Sequence, residues 1–274
     1  MIRNTNSRYC LAKTLGIPPS SLYYQKKLPE KDRALKIRIE EALRYHPSYG
    51  HRRLAIHLGI NKKRILRVMK LFGIKPYRRR GRKFRKNDAI TARGYPNLVK
   101  GVVPLHEGHV WAADFTYLPF KKGFVYLATV MDIFTREVIG WTMMTNHGAA
   151  LVLQAFFVAL EHHGRPQIFH SDNGREYGSN VFVQAVIGAG IRISRTAPGS
   201  PWENAFQESF FSQFKIDLGD SQRFRTLGEL VYATVRTIWK YNHTRIHLSL
   251  KMSPNQFAEN QRKLVENYSK ERGA

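Results

Sequence analysis

"HVWAADFTYLPF" (His109–Phe120), "GFVYLATVMDIFT" (Gly123–Thr135) and "EVIGWTMMT" (Glu137–Thr145) follow one another, broken only by Lys121-Lys122 and by Arg136. Each run is rich in aromatic and β-branched residues, and the breaks are too short for a crossover, so the three read as strands of a meander. Downstream the texture alternates. "GAALVLQAFFVALEHHG" (Gly148–Gly164) reads as a helix with a glycine stop, and "QIFHSDNG" (Gln167–Gly174) as a short buried strand that ends in a turn. "SNVFVQAVIGAG" reads as a helix and "IRISRT" as a strand. Two more helices are expected over Pro198–Asp217 and Thr226–Asn242. A meander followed by alternating helix and strand predicts a mixed sheet with helices on its faces.

That outline is of the α/β, ribonuclease-H-like kind, and three carboxylates in it stand out. Asp114 lies mid-strand between Ala113 and Phe115, where a carboxylate is costly without compensation. Asp172 closes a strand and precedes Asn173-Gly174. It has an ordinary reading as a turn aspartate. Asp132 sits at a strand end before "IFTRE" and reads as a turn or ion-pair residue. Carboxylates brought together repel, and a divalent metal resolves the repulsion. Mg²⁺ takes oxygen ligands and leaves positions open for phosphate oxygens. A third acidic side chain on a nearby helix would complete such a site.

"PGSPWENAFQESFFSQFKID" (Pro198–Asp217) offers two glutamates. Ser200-Pro201-Trp202-Glu203 is a capping box with proline at the first helical position, which gives Glu203 a structural explanation. Phe206, Phe210 and Phe214 form the expected core stripe. Glu208 stands to one side with Ser212 and Lys215, two helical turns on, where a base beside a metal-binding carboxylate suits a DNA phosphate. Glu208 is therefore the functional candidate, against the reading of a solvated helix glutamate.

The formal net charge is +25 and hydrophobic residues make up 43%. Charge is uneven: residues 1–103 hold 27 Lys/Arg against 5 Asp/Glu, and residues 104–274 hold 18 against 15. A basic N-terminal third beside a near-neutral remainder points to a polyanion partner. That third contains a repeat at an offset of 43, "LAKTLGIPPSSLYY" from Leu11 and "LAIHLGINKKRILR" from Leu54. In each copy a short apolar helix ends at a glycine (Gly16, Gly59) and a polar residue (Ser20, Asn61) opens a second helix. This is a helix-turn-helix pattern. Other helical hairpins share it. Lys62, Lys63, Arg64 and Arg67 on the second helix favour DNA. Asp32–Arg44 reads as a connecting helix. Lys75–Gly101 is basic, aperiodic and broken by proline and glycine. It reads as a linker lying along DNA through Arg78, Arg79, Arg80, Arg82, Lys83, Arg85 and Lys86, or as a solvated tether.

Cys10 is the sole cysteine, so no internal disulfide forms, as suits a reducing cytoplasm. No signal-peptide segment or run of about 18 apolar residues is present. The sequence contains neither an ATP-binding GxxxxGK[ST] nor an HExxH pattern.

"WAADFTY" around Asp114, "HSDNGREY" around Asp172 and "NAFQESFFSQFK" around Glu208 and Lys215 together resemble the insertion-sequence-three family of transposases, of the two-reading-frame type. Their core is similar to retroviral integrases. The 35 residues between Asp172 and Glu208 match that family's spacing. "HPSYGHRRLAIHLG" and "YNHTRIHLSLKMSPNQF" extend the resemblance over nearly the whole chain. It implies catalytic and metal-holding roles for Asp114, Asp172 and Glu208, with Mg²⁺ as cofactor and Mn²⁺ as a substitute. It implies cleavage at insertion-sequence ends and transfer of a 3′-OH to a new phosphodiester. The expected partners are double-stranded DNA and further copies of the chain, in a bacterial cytoplasm and on the nucleoid. The expected organisation is a helical DNA-binding region over 1–74, a basic linker over 75–102, the catalytic core over 103–220 and a helical extension over 221–274. The competing expectation is a non-catalytic, transposase-derived DNA-binding regulator.

Overall fold

The computed structural model describes residues 12–18, 28–77, 94–197 and 204–272. Strands β1 (Val110–Phe120), β2 (Gly123–Asp132) and β3 (Val138–Met144) form the antiparallel meander. In the N-terminal region lie helices α1 (Leu28–Tyr45), α2 (His51–Leu58) and α3 (Lys62–Leu71). After the meander come helix α4 (Ala149–His163), β4 (Ile168–Ser171), α5 (Asn180–Gly188) and β5 (Arg192–Arg195). The sheet order is β3-β2-β1-β4-β5, with β4 parallel to both β1 and β5. β4 pairs with β1 only over Val110–Ala112, so the rest of β1, including Asp114, lines an open sheet edge.

Alternation along the strands sends side chains to both faces, and each face is covered. Trp111, Ala113 and Val130 pack with Phe156, Phe169 and Phe182 under α4 and α5. Leu118, Leu127 and Met131 pack with Phe210, Phe214 and Ile238 under α6 (Ala205–Leu218) and α7 (Leu227–His243). α4 lies close on β3 because residue 140 is glycine: a Cβ there would sit 2.8 Å from the Ala159 Cβ.

Asp132 is a buried turn residue. It accepts from the backbone N–H groups of Gly108, Phe134 and Thr135 at 2.7, 2.8 and 2.9 Å. These bonds explain how a carboxylate tolerates a strand end away from water.

α1 begins earlier than the expected Asp32 because Pro29 is well placed in a first turn. Gly59 takes the left-handed conformation at φ +64°, and Asn61 caps α3 by accepting from Lys63 N–H at 2.8 Å. Leu35, Ile39, Leu54, Ile65 and Val68 close a separate small core. In the first repeat copy Gly16 has φ +63°. Leu11, Ser20 and Leu22 lie outside the described residues.

This helical unit docks on the end of α6 and the segment after α7. Arg245 donates to Asp217 at 2.6 Å, to Gln213 at 2.7 Å and to Ser48 at 2.8 Å, and Arg53 donates to the Ile246 carbonyl at 3.0 Å. Helix α8 (Pro254–Arg272) returns to the core, where Arg262 forks onto Glu107 at 2.9 and 2.5 Å. Among the described residues no helix is long and apolar enough to cross a membrane.

Candidate active site

Asp114 lies on β1, and one of its oxygens accepts from Phe115 N–H at 2.8 Å. Desolvation pushes its pKa up to about 8, and the charge of Asp172 raises it next, with Glu208 adding to the rise and Lys215 opposing it. Asp114, Asp172, Glu208 and Lys215 therefore share one electrostatic neighbourhood.

Asp172 ends β4 in the tight turn its sequence suggests: it accepts from Gly174 N–H at 2.9 Å. The turn is pinned by Asn173, which donates to the Thr196 carbonyl at 2.6 Å. The turn reading and the site reading of Asp172 thus coexist, because one carboxylate oxygen holds the turn. Burial raises its pKa, and Glu176 raises it further. Glu176 is paired with His147 at 2.9 Å, so a fourth carboxylate acts on this neighbourhood through Asp172. Its only mark in the sequence is a spacing of one helical turn after Asp172, and it is absent from the expected site. Tyr177 is also drawn in: its buried hydroxyl has no hydrogen-bond partner among the described residues and feels Asp114 and Asp172.

α6 is fixed to β1 by two amides. Asn204 donates to the Ala113 carbonyl at 3.1 Å. Gln207, fully buried, donates to the Ala112 carbonyl at 2.6 Å and accepts from the Thr129 hydroxyl at 2.9 Å. These contacts flank Asp114 and set the exposed Glu208 at the start of the helix, beyond the sheet edge. Neither amide stands out in the sequence. Phe206 corrects one expectation: it is 41% exposed instead of joining Phe210 and Phe214 in the core. The Arg136 guanidinium lies 3.7 Å from its ring centre and accounts for its position. Ser200 and Glu203, the expected capping box, lie outside the described residues.

Lys215 reaches round the edge of β1, its ammonium 5.1 Å from the centre of the Tyr117 ring. Among the described residues no group of three or more His, Cys, Asp or Glu stands close enough to hold a metal ion. The oxygen-only chemistry of the Asp114–Asp172 pair and their mutual repulsion nonetheless suit a hard divalent cation, which uses one or two carboxylates and takes its other ligands from water and phosphate.

On α3, Lys62 and Lys63 are exposed and Arg64 is half-buried. Arg67 is committed elsewhere. It forks onto buried Asp32 of α1 at 2.7 and 2.6 Å, so both terminal nitrogens serve the helical core. Arg78, Arg79, Arg80, Arg82, Lys83, Arg85 and Lys86 lie outside the described residues.

The chain matches the family described as "Integrase core domain" over residues 104–201 and again over residues 189–254. It is 30% identical over 270 residues to the transposase for insertion sequence element IS629 of Shigella sonnei, spanning 91% of this chain and 90% of that one. It is 36% identical over 152 residues to transposase InsF for insertion sequence IS3A of Escherichia coli strain K12, spanning 54% and 52%. In fold it is similar to a simian T-cell lymphotropic virus intasome chain, with TM-score 0.50 and 20% identity over 77% of this chain and 70% of that one. With full-length similarity to one such transposase and a sheet of integrase type, the chain belongs to the IS3 family of insertion-sequence transposases.

Proposed function

We propose that this transposase binds insertion-sequence ends and carries out divalent-metal-dependent strand cleavage and 3′-OH strand transfer. The observation that carries the reading is the shared electrostatic neighbourhood of Asp114, Asp172, Glu208 and Lys215 at an open sheet edge. Asp114 and Asp172 are assigned as the principal holders of Mg²⁺ or Mn²⁺, with Glu208 closing the set once DNA is in place. Such an ion stabilises charge on the scissile phosphate and eases formation of the attacking oxyanion. In strand transfer the 3′-oxygen of the element end forms a bond to a target phosphorus as its proton passes to solvent, and the phosphorus bond to the target strand's own 3′-oxygen breaks, that oxygen taking up a proton from solvent to leave as a 3′-OH.

The chain's own residues prepare this chemistry. Asp114, its pKa held near 8, keeps its proton at neutral pH in the metal-free chain, and it would have to shed that proton to serve as a ligand. Lys215 holds a phosphate oxygen of the strand. Gln207 and Asn204 keep α6, and Glu208 with it, at a fixed distance from β1. Lys62, Lys63 and Arg64 on α3, with the basic 75–102 linker, hold DNA phosphates in a helix-turn-helix-like mode. Two or more copies bridge the two ends.

A pool of labelled insertion-sequence ends incubated with the pure chain in Mg²⁺ or Mn²⁺ tests the reading. Wild type is expected to nick and join. Asp172→Asn, which keeps shape but loses charge, is expected to bind ends and do neither. A wild-type chain that binds ends in both metals yet never nicks them would leave the regulator reading instead.

A further inference from the structure

Lys215, which shares the electrostatic neighbourhood of Asp114, also stands by two exposed aromatic rings of the β1–β2 hairpin that the core does not use. Tyr117 is 47% exposed and Phe124, across the hairpin, is 49% exposed. They meet edge to face with centroids 5.3 Å apart. An unpaired edge strand normally protects itself with charge or a covering element. Here β1 displays the Tyr117 ring next to a lysine, with Phe124 of β2 against it, and Tyr117 follows Asp114 by three residues along the strand, on the alternate pleat.

The two rings form one wall of a groove of about 960 Å³. Lys215, Ile216 and Asp220 also line it, as do Pro47 and Tyr77 of the helical unit. Tyr77 is 62% exposed. Its ring also borders a second groove of about 540 Å³, lined by His51, Arg52 and Arg53. The larger volume lies at the top of the ~300–1,000 Å³ range of small-molecule sites, room for a few nucleotides and not for a duplex. Charge selects the occupant. Lys215 lies over Tyr117, and Lys121 and Lys122 are exposed at the hairpin tip. The one acidic lining residue, Asp220, spends a carboxylate oxygen on Gln222 N–H at 3.0 Å.

Aromatic faces interleaved with cations are the chemistry that binds unpaired nucleotides: bases stack on the rings and phosphates meet the lysines. We infer that the Tyr117–Phe124–Tyr77 groove seats unpaired nucleotides of the DNA strand next to the carboxylates, bases on the rings and backbone along Lys215. This deepens the proposed function, and it rests on that reading for the presence of DNA. Seating a frayed strand here would hold the end open while its terminus lies at Asp114.

The test uses the full chain without metal, so that binding is read apart from chemistry. Three probes of equal duplex sequence are compared: blunt, with an unpaired oligodeoxythymidine extension, and with an abasic extension of equal length. Wild type is expected to prefer the thymidine extension over both others. Tyr117→Leu and Phe124→Ala should each lose roughly 5- to 150-fold of that preference, the range for one stacked base, with blunt-duplex affinity unchanged. Tyr117→Phe should keep it. Melting curves confirm that the variants fold, as exposed positions allow. If the abasic extension binds as well as thymidine, or if neither Tyr117→Leu nor Phe124→Ala alters the preference, the groove is no stacking seat. Because no metal is present, failure of strand transfer in a separate assay would count against the proposed function and leave this result standing.

Discussion

The Gln207 side chain donates to the Ala112 carbonyl at 2.6 Å, two residues before Asp114, while Glu208 is its immediate neighbour on α6. One buried amide thus joins the two elements that carry these carboxylates. Gln207→Leu removes that donor and strands the Thr129 hydroxyl, which now donates to it at 2.9 Å. Leaving buried polar groups unsatisfied costs about 1–3 kcal/mol. The variant should melt lower and join strands poorly, whereas Glu208→Gln, an exposed change, should melt like wild type and also fail to join. Equal melting of Gln207→Leu and wild type would show that the amide is not holding the helix.

Asp114 makes metal-free stability depend on pH. Its pKa is raised from 3.8 to about 8 in the folded chain, so the folded state binds a proton that the unfolded state releases across that window. By linkage, its contribution is complete below about 3.8 and is lost as pH rises towards 8. Wild type without metal should lose melting temperature over that rise, and Asp114→Asn should lose less. Adding Mg²⁺ at pH 8 should raise the melting point of wild type and leave the variant unmoved. Parallel pH profiles for the two proteins would contradict this.

The Arg245–Asp217 pair is buried at the docking surface of the helical unit, with side-chain exposures of 3% and 9%. Removing one partner strands the other charge away from water, at about 3–5 kcal/mol. Arg245→Met should unfold at markedly lower denaturant, and adding Asp217→Leu should recover most of the loss. An additive double variant would mean that the two side chains act separately.

Glu107 ties α8 to the core. The His163 imidazole, 3.8 Å away, and then the bonded Arg262 guanidinium lower its pKa from 4.5 to about 2. This depressed pKa contributes stability above 4.5 that disappears as pH falls through about 2. Glu107→Gln should therefore free α8 already at neutral pH. Hydrogen exchange over Pro254–Arg272 reads this directly, with protection expected to fall in the variant while the sheet stays protected.

The meander was legible because its strands are apolar, adjacent and separated by minimal breaks, and Asp172 because Asp-Asn-Gly can hardly be anything but a turn. Both are local signals. Gln207 was invisible for the opposite reason: its partners Ala112 and Thr129 lie 95 and 78 residues away, and nothing beside it in sequence marks it. Phe206 shows the limit of helical spacing, which names a stripe but not the element, here Arg136, that meets its outermost ring. Arg67 shows the limit of charge counting. Four bases on one helix resemble a single surface, yet Asp32, buried on α1, claims one of them.

The clasp between the helical unit and the segment after α7 fixes an order of assembly. Tyr49 and Ile246, joined at 2.7 Å, are 197 residues apart, and Arg53 and Ile246 are 193 apart. Synthesis delivers the chain from its N-terminus. α1–α3 can close their own core early, and the sheet can form around Asp114 and Asp172. Ser48–Asp217 and Lys240–Tyr45 already join the two, but the bonds of Arg245 and Ile246 are added only once those residues leave the ribosome. A nascent chain halted before Thr244 would hold every carboxylate and every basic helix described above, joined by fewer bonds than in the finished chain. Under the proposed function, the joint between the part that grips DNA and the part that cuts it reaches full strength only once translation has passed this late segment.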